Sequence, residues 1–169
     1  KLIADVGINY ISDHQVDYNG SYKENAAHIL RLAAKYGIFI IAPDQHHSMC
    51  TNMKYGPRYE HFMATEFPAI CRNNLPISSD PKLNWIGGVG TGAYGAVKMA
   101  LKHSDVFSKA VSIHGILDME ELCRKAVQGE ETGTTQNLAS LKAVFGDKGM
   151  MTSNMVTMDM SIQKPVNVA

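Results

Sequence analysis

The chain has 169 residues, 45% of them hydrophobic and 19% charged, a balance that suits one globular domain with a core and excludes a disordered tail. Sixteen Lys and Arg offset sixteen Asp and Glu, so the formal net charge is zero; no long-range field gathers nucleic acid or an anionic membrane, and neither partner is expected. No apolar run is long enough to span a bilayer and no basic start precedes an apolar stretch, while Cys50, Cys71 and Cys123 are too widely spaced for a disulfide framework or a CxxC site. A cytoplasmic protein with reduced thiols is the expectation.

In chain order, residues 2–6 read as a short strand and residues 7–20 as a polar, turn-rich loop of the kind that carries function. A helix starts at Ser21, which forms a capping box with Glu24, and Ala26, Ile29, Leu30 and Ala33 line its inner face. Residues 38–42 are apolar on both faces, as a strand between helix layers must be, and Pro43 ends them. Tyr59, Phe62, Met63, Phe67 and Ile70 recur at helical spacing, with Pro68 predicted to kink or restart that helix. Residues 83–86 predict a strand, residues 87–92 a sharp glycine turn, and Ala93, Ala96, Val97, Ala100 and Leu101 a helix face. Residues 111–113 predict another strand. Asp118 with Glu121 caps a helix running to about Gln128, and a last helix over residues 135–145 ends at Gly146 as a left-handed cap. Four strands and part of a fifth, joined by crossovers long enough for parallel pairing, make an α/β domain with a doubly wound, mostly parallel sheet.

A glycine-rich turn between strand and helix serves phosphate cradling, dinucleotide binding or a nucleophile elbow. A phosphate loop fails, because Gly87 and Gly92 are followed by Ala93-Tyr94 and supply neither the lysine nor the magnesium-binding hydroxyl. A dinucleotide site fits poorly, because Val111 and Ser112 stand where an acidic residue belongs about twenty positions on. The stretch Trp85-Ile86-Gly87-Gly88-Val89-Gly90-Thr91-Gly92-Ala93-Tyr94-Gly95-Ala96 resembles the elbow of the esterase D and tributyrin esterase family, the S-formylglutathione hydrolase-like esterases. Met53-Lys54-Tyr55-Gly56-Pro57, Glu66-Phe67-Pro68-Ala69-Ile70, His114-Gly115-Ile116-Leu117-Asp118 and Val144-Phe145-Gly146 resemble further landmarks of the family in the same order. The likeness covers roughly residues 22–153. It implies an α/β-hydrolase domain represented by its amino-terminal two thirds, hydrolysis of short acyl esters, and no cofactor.

The chemistry is where the chain departs from that family. The family's elbow serine attacks the ester carbonyl, a histidine takes its proton and an Asp orients the histidine. Here Gly90 stands at the serine position and can form no acyl-enzyme. No histidine follows His114, and the chain closes with Val166-Asn167-Val168-Ala169, which reads as the start of the acid-bearing strand. The family's first strand ends in His-Gly, for which Asp5-Val6-Gly7 is the expected counterpart. The backbone amides of Thr91 and Ile8 then fall at the two oxyanion donor positions. The expected function is a carboxylic-ester hydrolase whose activity is lost or severely lowered; the alternative is a non-catalytic homologue that binds a ligand or a protein.

Around that site His114, Tyr94, His46 and His47 are the ligand-binding candidates, the three histidines each following a strand and so falling on the sheet's carboxyl rim. No metal is expected, because no HxxxH or HxH spacing supports one. The bland readings are a satisfied, buried His114, an inert Cys50 thiol, a Thr91 hydroxyl that caps the helix through the amides of Ala93 or Tyr94, and late methionines that pack. The expected partners are a small ester or acyl ligand and, for the uncovered sheet edge, a second copy or a covering segment.

Overall fold

The computed structural model describes residues 7–12, 30–43, 45–133, 136–149 and 167–168. Five parallel strands form one sheet: β1 (Gly7–Ser12), β2 (Phe39–Ile41), β3 (Asn84–Val89), β4 (Lys109–Ile113) and β5 (Asn167–Val168), in the order β2-β1-β3-β4-β5. The helical segments are α1 (residues 30–36), α2 (Tyr59–His61), a π-helical turn (Phe62–Glu66), α3 (Phe67–Asn74), α4 (Thr91–Lys102), α5 (Met119–Gln128) and α6 (Leu138–Gly149), with a short 3₁₀ turn at Pro81–Leu83. Crossovers between parallel neighbours are what the alternating apolar pattern demands.

The first strand takes in residues that the sequence reading gives to a loop. Residues 2–6 lie outside the described residues, and Gly7 opens β1 where a functional loop is expected. β1 lies between β2 and β3, so its backbone is paired on both sides and Asn9 and Ser12 are carried in a strand despite their turn preference. β2 is half-buried along its length, because it is the outermost strand of the described sheet and not a fully enclosed one. The capping box at Ser21 falls outside the described residues, and Leu30, expected on the inner face of its helix, is 69% exposed.

Pro68 acts as expected on the helix that contains it. Its ring nitrogen has no hydrogen to donate one turn back, and the turn just before it is wound in the wider π form while the chain stays helical through Asn74. Asp118 caps α5 by accepting from the Glu121 amide at 2.9 Å, and Gly129 closes the helix in the left-handed conformation. α6 begins after Asn137, whose side chain accepts from the Ser140 amide while the Ser140 hydroxyl accepts from the Asn137 amide, a reciprocal cap. Gly146, with φ 76° and ψ 163°, breaks α6 where a left-handed cap is expected. The carbonyls of Ala143 and Val144, just before that break, accept from the amides of Tyr55 and Lys54.

α4 is the centre of the core. One cluster sets its Ala96, Val97, Met99 and Ala100 against Ile86 and Ala110 of the sheet, together with Met63 and Phe107. A second sets Tyr94 and Met49 against Met119, Leu122 and Cys123 of α5 and Leu141 and Val144 of α6. The helix is thus packed on several sides, with ten of its residues buried, and this fixes the strand-to-helix turn that precedes it. Among the described residues no helix is long and apolar enough to cross a membrane.

Candidate functional site

β3 ends at Val89, level with Ser12 of β1 and Ile113 of β4, and α4 begins two residues later at Thr91. Gly90 alone makes the turn, with φ 60° and ψ −122°, a conformation that L side chains rarely adopt. Its amide donates to the Ile113 carbonyl at 3.0 Å and its carbonyl accepts from the Ala93 amide at 3.1 Å, so both neighbours hold the apex. Among the described residues a Cβ built on Gly90 meets nothing within 4 Å. The flanking glycines have the opposite surroundings. A Cβ on Gly88 would overlap the Gly92 carbonyl and stand 2.6 Å from the Ala93 nitrogen, and one on Gly115 would stand 2.7 Å from the Ala93 Cβ. At Gly88 strand and helix are therefore packed backbone against backbone, while the apex has room for a side chain among the described residues.

The structure places the other candidates as follows. Thr91 opens α4 and is 4% exposed; its amide belongs to the first turn, where helix amides have no acceptor within the helix. The cap residue of α4 is Gly90, which has no side chain to cap the helix. Ile8 is not at the site. It pairs with Ile40 and Trp85, four residues before the Ser12–Val89 level, roughly 13 Å short of the carboxyl edge at about 3.3 Å per residue. β1 is described as far as Ser12, level with Val89, and residues 13–29 lie outside the described residues.

His114 directly follows the Ile113 carbonyl that anchors Gly90, and it is exposed where a buried side chain is expected. Its φ of 52° turns the chain sharply off the end of β4. Tyr94 is 2% exposed and packed among α5 and α6, one turn along the helix from the site, so it belongs to the core and does not line a ligand site. Among the described residues its hydroxyl has no hydrogen-bond partner, and burial, aided by the neighbouring Cys123 and Glu60, pushes its pKa well above the ordinary tyrosine value. His46 and His47 are exposed beyond the carboxyl end of β2. The structure sets His46 edge-on to Tyr59 at 6.1 Å and brings His47 Nδ1 to 3.3 Å from Gln136 Nε2. Cys50 is wholly buried against Gly95 of α4, as an inert thiol would be, and among the described residues no His, Cys, Asp and Glu cluster is built to hold a metal.

One feature beside the turn escapes the sequence reading. Lys98, in the middle of α4, is 3% exposed and donates to the Cys50 carbonyl and the Thr51 hydroxyl, each at 2.7 Å. Glu60 of α2 supplies the opposite charge at 3.4 Å and also takes Lys102 at 2.7 Å and His103 at 3.4 Å. Burial pulls the Lys98 pKa down, against the raising effect of Cys50 and Glu60. For Glu60 burial works upward, but the His103 and Lys102 hydrogen bonds and the Lys98 and Lys102 charges outweigh it and hold the carboxyl at about 2. The loop that Lys98 grips is strained: His46, Met49 and Cys50 have φ of 45°, 52° and 53°, each costing on the order of 1–3 kcal/mol for a residue other than glycine. A lone lysine within Ala96-Val97-Lys98-Met99-Ala100 is the sequence signal that could have found it.

With this geometry in place, the comparisons decide the family. Residues 17–155 match the Esterase family model. The chain belongs to the Esterase family. It is 27% identical over 118 residues to an acetyl esterase of Caldicellulosiruptor saccharolyticus, covering 64% of this chain and 44% of that protein. FphF of Staphylococcus aureus, a fluorophosphonate-binding serine hydrolase, superposes with a TM-score of 0.67 at 26% identity, over 83% of this chain and 51% of its own. The S-formylglutathione hydrolase FrmB of Staphylococcus aureus does so with a TM-score of 0.62 at 25% identity, over 83% of this chain and 50% of its own. The Esterase chain thus has the α/β-hydrolase fold and spans about half the length of the relatives it matches. In that fold the turn between β3 and α4 is the site to which the resemblance points.

Proposed function

We propose that this Esterase-family protein binds short acyl esters at the carboxyl edge of β3, and that covalent hydrolysis there is lost or severely lowered. The observation that carries the reading is Gly90, alone at the apex of the turn with open space where a side chain would project. An elbow nucleophile is an oxygen that adds to the ester carbonyl, expels the alcohol and passes its proton to a base; glycine presents no such oxygen. The Thr91 amide at the head of α4 still suits a carbonyl oxygen, and a donor without a nucleophile binds the ester without acylation. Family membership and the acetyl esterase likeness support the choice of ester as ligand class.

The test is a fluorophosphonate probe applied to the full-length protein. The expected result is no stoichiometric adduct, and an adduct on any residue of this site overturns the loss of acylation. In the same protein Gly90→Ser is expected to gain cleavage of p-nitrophenyl butyrate. A folded Gly90→Ser protein that cleaves nothing favours a homologue that binds a ligand or protein and performs no hydrolysis.

A further inference from the structure

We infer that Lys98 is a positioning residue: its buried ammonium pins the loop of residues 45–51 to α4, the helix that carries the Gly90 turn. Packing alone gives no reason for a charge at this place. Val97 and Met99, on either side in sequence, are 2% and 0% exposed, and an unbranched apolar side chain of similar length would fill the same space without the desolvation that a charge suffers. What the ammonium supplies is directed donors. It reaches the Cys50 carbonyl and the Thr51 hydroxyl at 2.7 Å each, at the end of a segment that holds three residues other than glycine in the left-handed region.

Two turn hydrogen bonds, Ser48 to Gln45 at 3.2 Å and Thr51 to Ser48 at 2.9 Å, close the loop locally. Among the described residues the buried side chains of Gln45 and Ser48 have no hydrogen-bond partner, so they add desolvation without a compensating bond there. The bonds from Lys98 tie this segment to the helix, and Glu60 keeps the cation tolerable where it is buried, itself steadied by Lys102 and His103. Residues 46 and 47 ride on the pinned loop at the carboxyl end of the sheet, so the setting of Lys98 governs where His46 and His47 stand relative to the Gly90 turn. That functional meaning rests on the reading above, in which an ester binds at this edge.

Amide hydrogen exchange of residues 45–52, referred to α5 (Met119–Gln128) in the same sample, tests the pin in the full-length protein. Lys98→Met is expected to speed exchange in residues 45–52 at least tenfold while α5 changes only as global stability does. Val97→Ala, a core lesion on the same helix, is expected to leave the ratio between loop and α5 unchanged. If Lys98→Met does not fold, Glu60→Gln reads the same ratio and is expected to raise it severalfold. An unchanged ratio in the folded variant, or an equal rise in Val97→Ala, overturns the inference. Binding of methyl butyrate followed by NMR separates the two readings. Weaker binding by Lys98→Met supports positioning of the ester site, and unchanged affinity with a loosened loop overturns that role. A native protein that binds no methyl butyrate overturns the ester reading, and the exchange ratio still decides the pin.

Discussion

The Gly90 amide donates to the Ile113 carbonyl at 3.0 Å, so the apex of the turn after β3 is fastened to the last residue of β4. The hydrogen bond sets the turn independently of any side chain at position 90. It follows that the site can change its chemistry at this residue without rebuilding its backbone.

Gly90→Ser is therefore expected to fold. Its Cβ meets nothing within 4 Å, and the remaining penalty is the positive φ of 60°, about 1–2 kcal/mol. Gly88→Ala is the contrasting case, since its Cβ overlaps the Gly92 carbonyl and lies 2.6 Å from the Ala93 nitrogen, neither of which can swing aside. A loss of about 3 kcal/mol or more, or failure to fold, is expected. Urea denaturation of the two variants beside the native protein checks the order.

Glu60 gives the fold an acid-sensitive element. Its carboxyl is held at about 2, below the ordinary 4.5, so the folded state binds this proton less readily than the unfolded chain does. The stabilisation is fully present above about pH 4.5 and is lost as pH falls towards 2, amounting to about 3 kcal/mol at most for a shift of this size. Glu60→Gln is expected to show a shallower loss of stability between pH 4.5 and 2.5 than the native protein. Parallel curves for the two proteins would contradict the assignment.

Tyr94→Phe is expected to leave stability unchanged or to raise it by up to about 1 kcal/mol. The hydroxyl is buried without a partner, so its removal relieves desolvation and breaks no hydrogen bond. A fall in melting temperature would mean that the hydroxyl is satisfied in solution.

Asp118→Ala is expected to destabilise by about 1 kcal/mol, because it leaves the Glu121 amide at the start of α5 without its 2.9 Å acceptor. Asp118→Asn, which keeps an acceptor, should recover most of that difference. Thermal melts of both variants make the comparison.

The parts of the fold legible in the sequence are those where local chemistry and tertiary packing agree. β3, the turn at Gly90 and α4 follow from a strand run, a glycine cluster and a helical apolar face that all point the same way, and the Asp118 cap begins α5 where it is expected. β1 is not legible because Asn9 and Ser12 read as turn residues, and only pairing on both sides overrides that preference. The same misreading carries Ile8 away from the site, since an error in where a strand ends moves every residue assigned from that end. Tyr94 and His114 exchange their expected surroundings: nothing local announces that α5 and α6 enclose Tyr94 or that the chain leaves β4 through a left-handed His114. Lys98 shows in the sequence only as a lone charge in an apolar stretch, and what it binds does not show at all. Its partners are the Cys50 carbonyl, Thr51 and Glu60, dozens of positions away, and sequence spacing says nothing about contacts of that range.

The order β2-β1-β3 also bears on how the polypeptide is made. β2 is synthesised soon after β1, but Val89, which completes the other side of β1, emerges about 77 residues after Ser12. At roughly 5–20 residues per second the nascent chain carries one unmatched flank of β1 for several seconds. Slower translation across that interval is therefore expected to lengthen the time for which that flank waits without its partner.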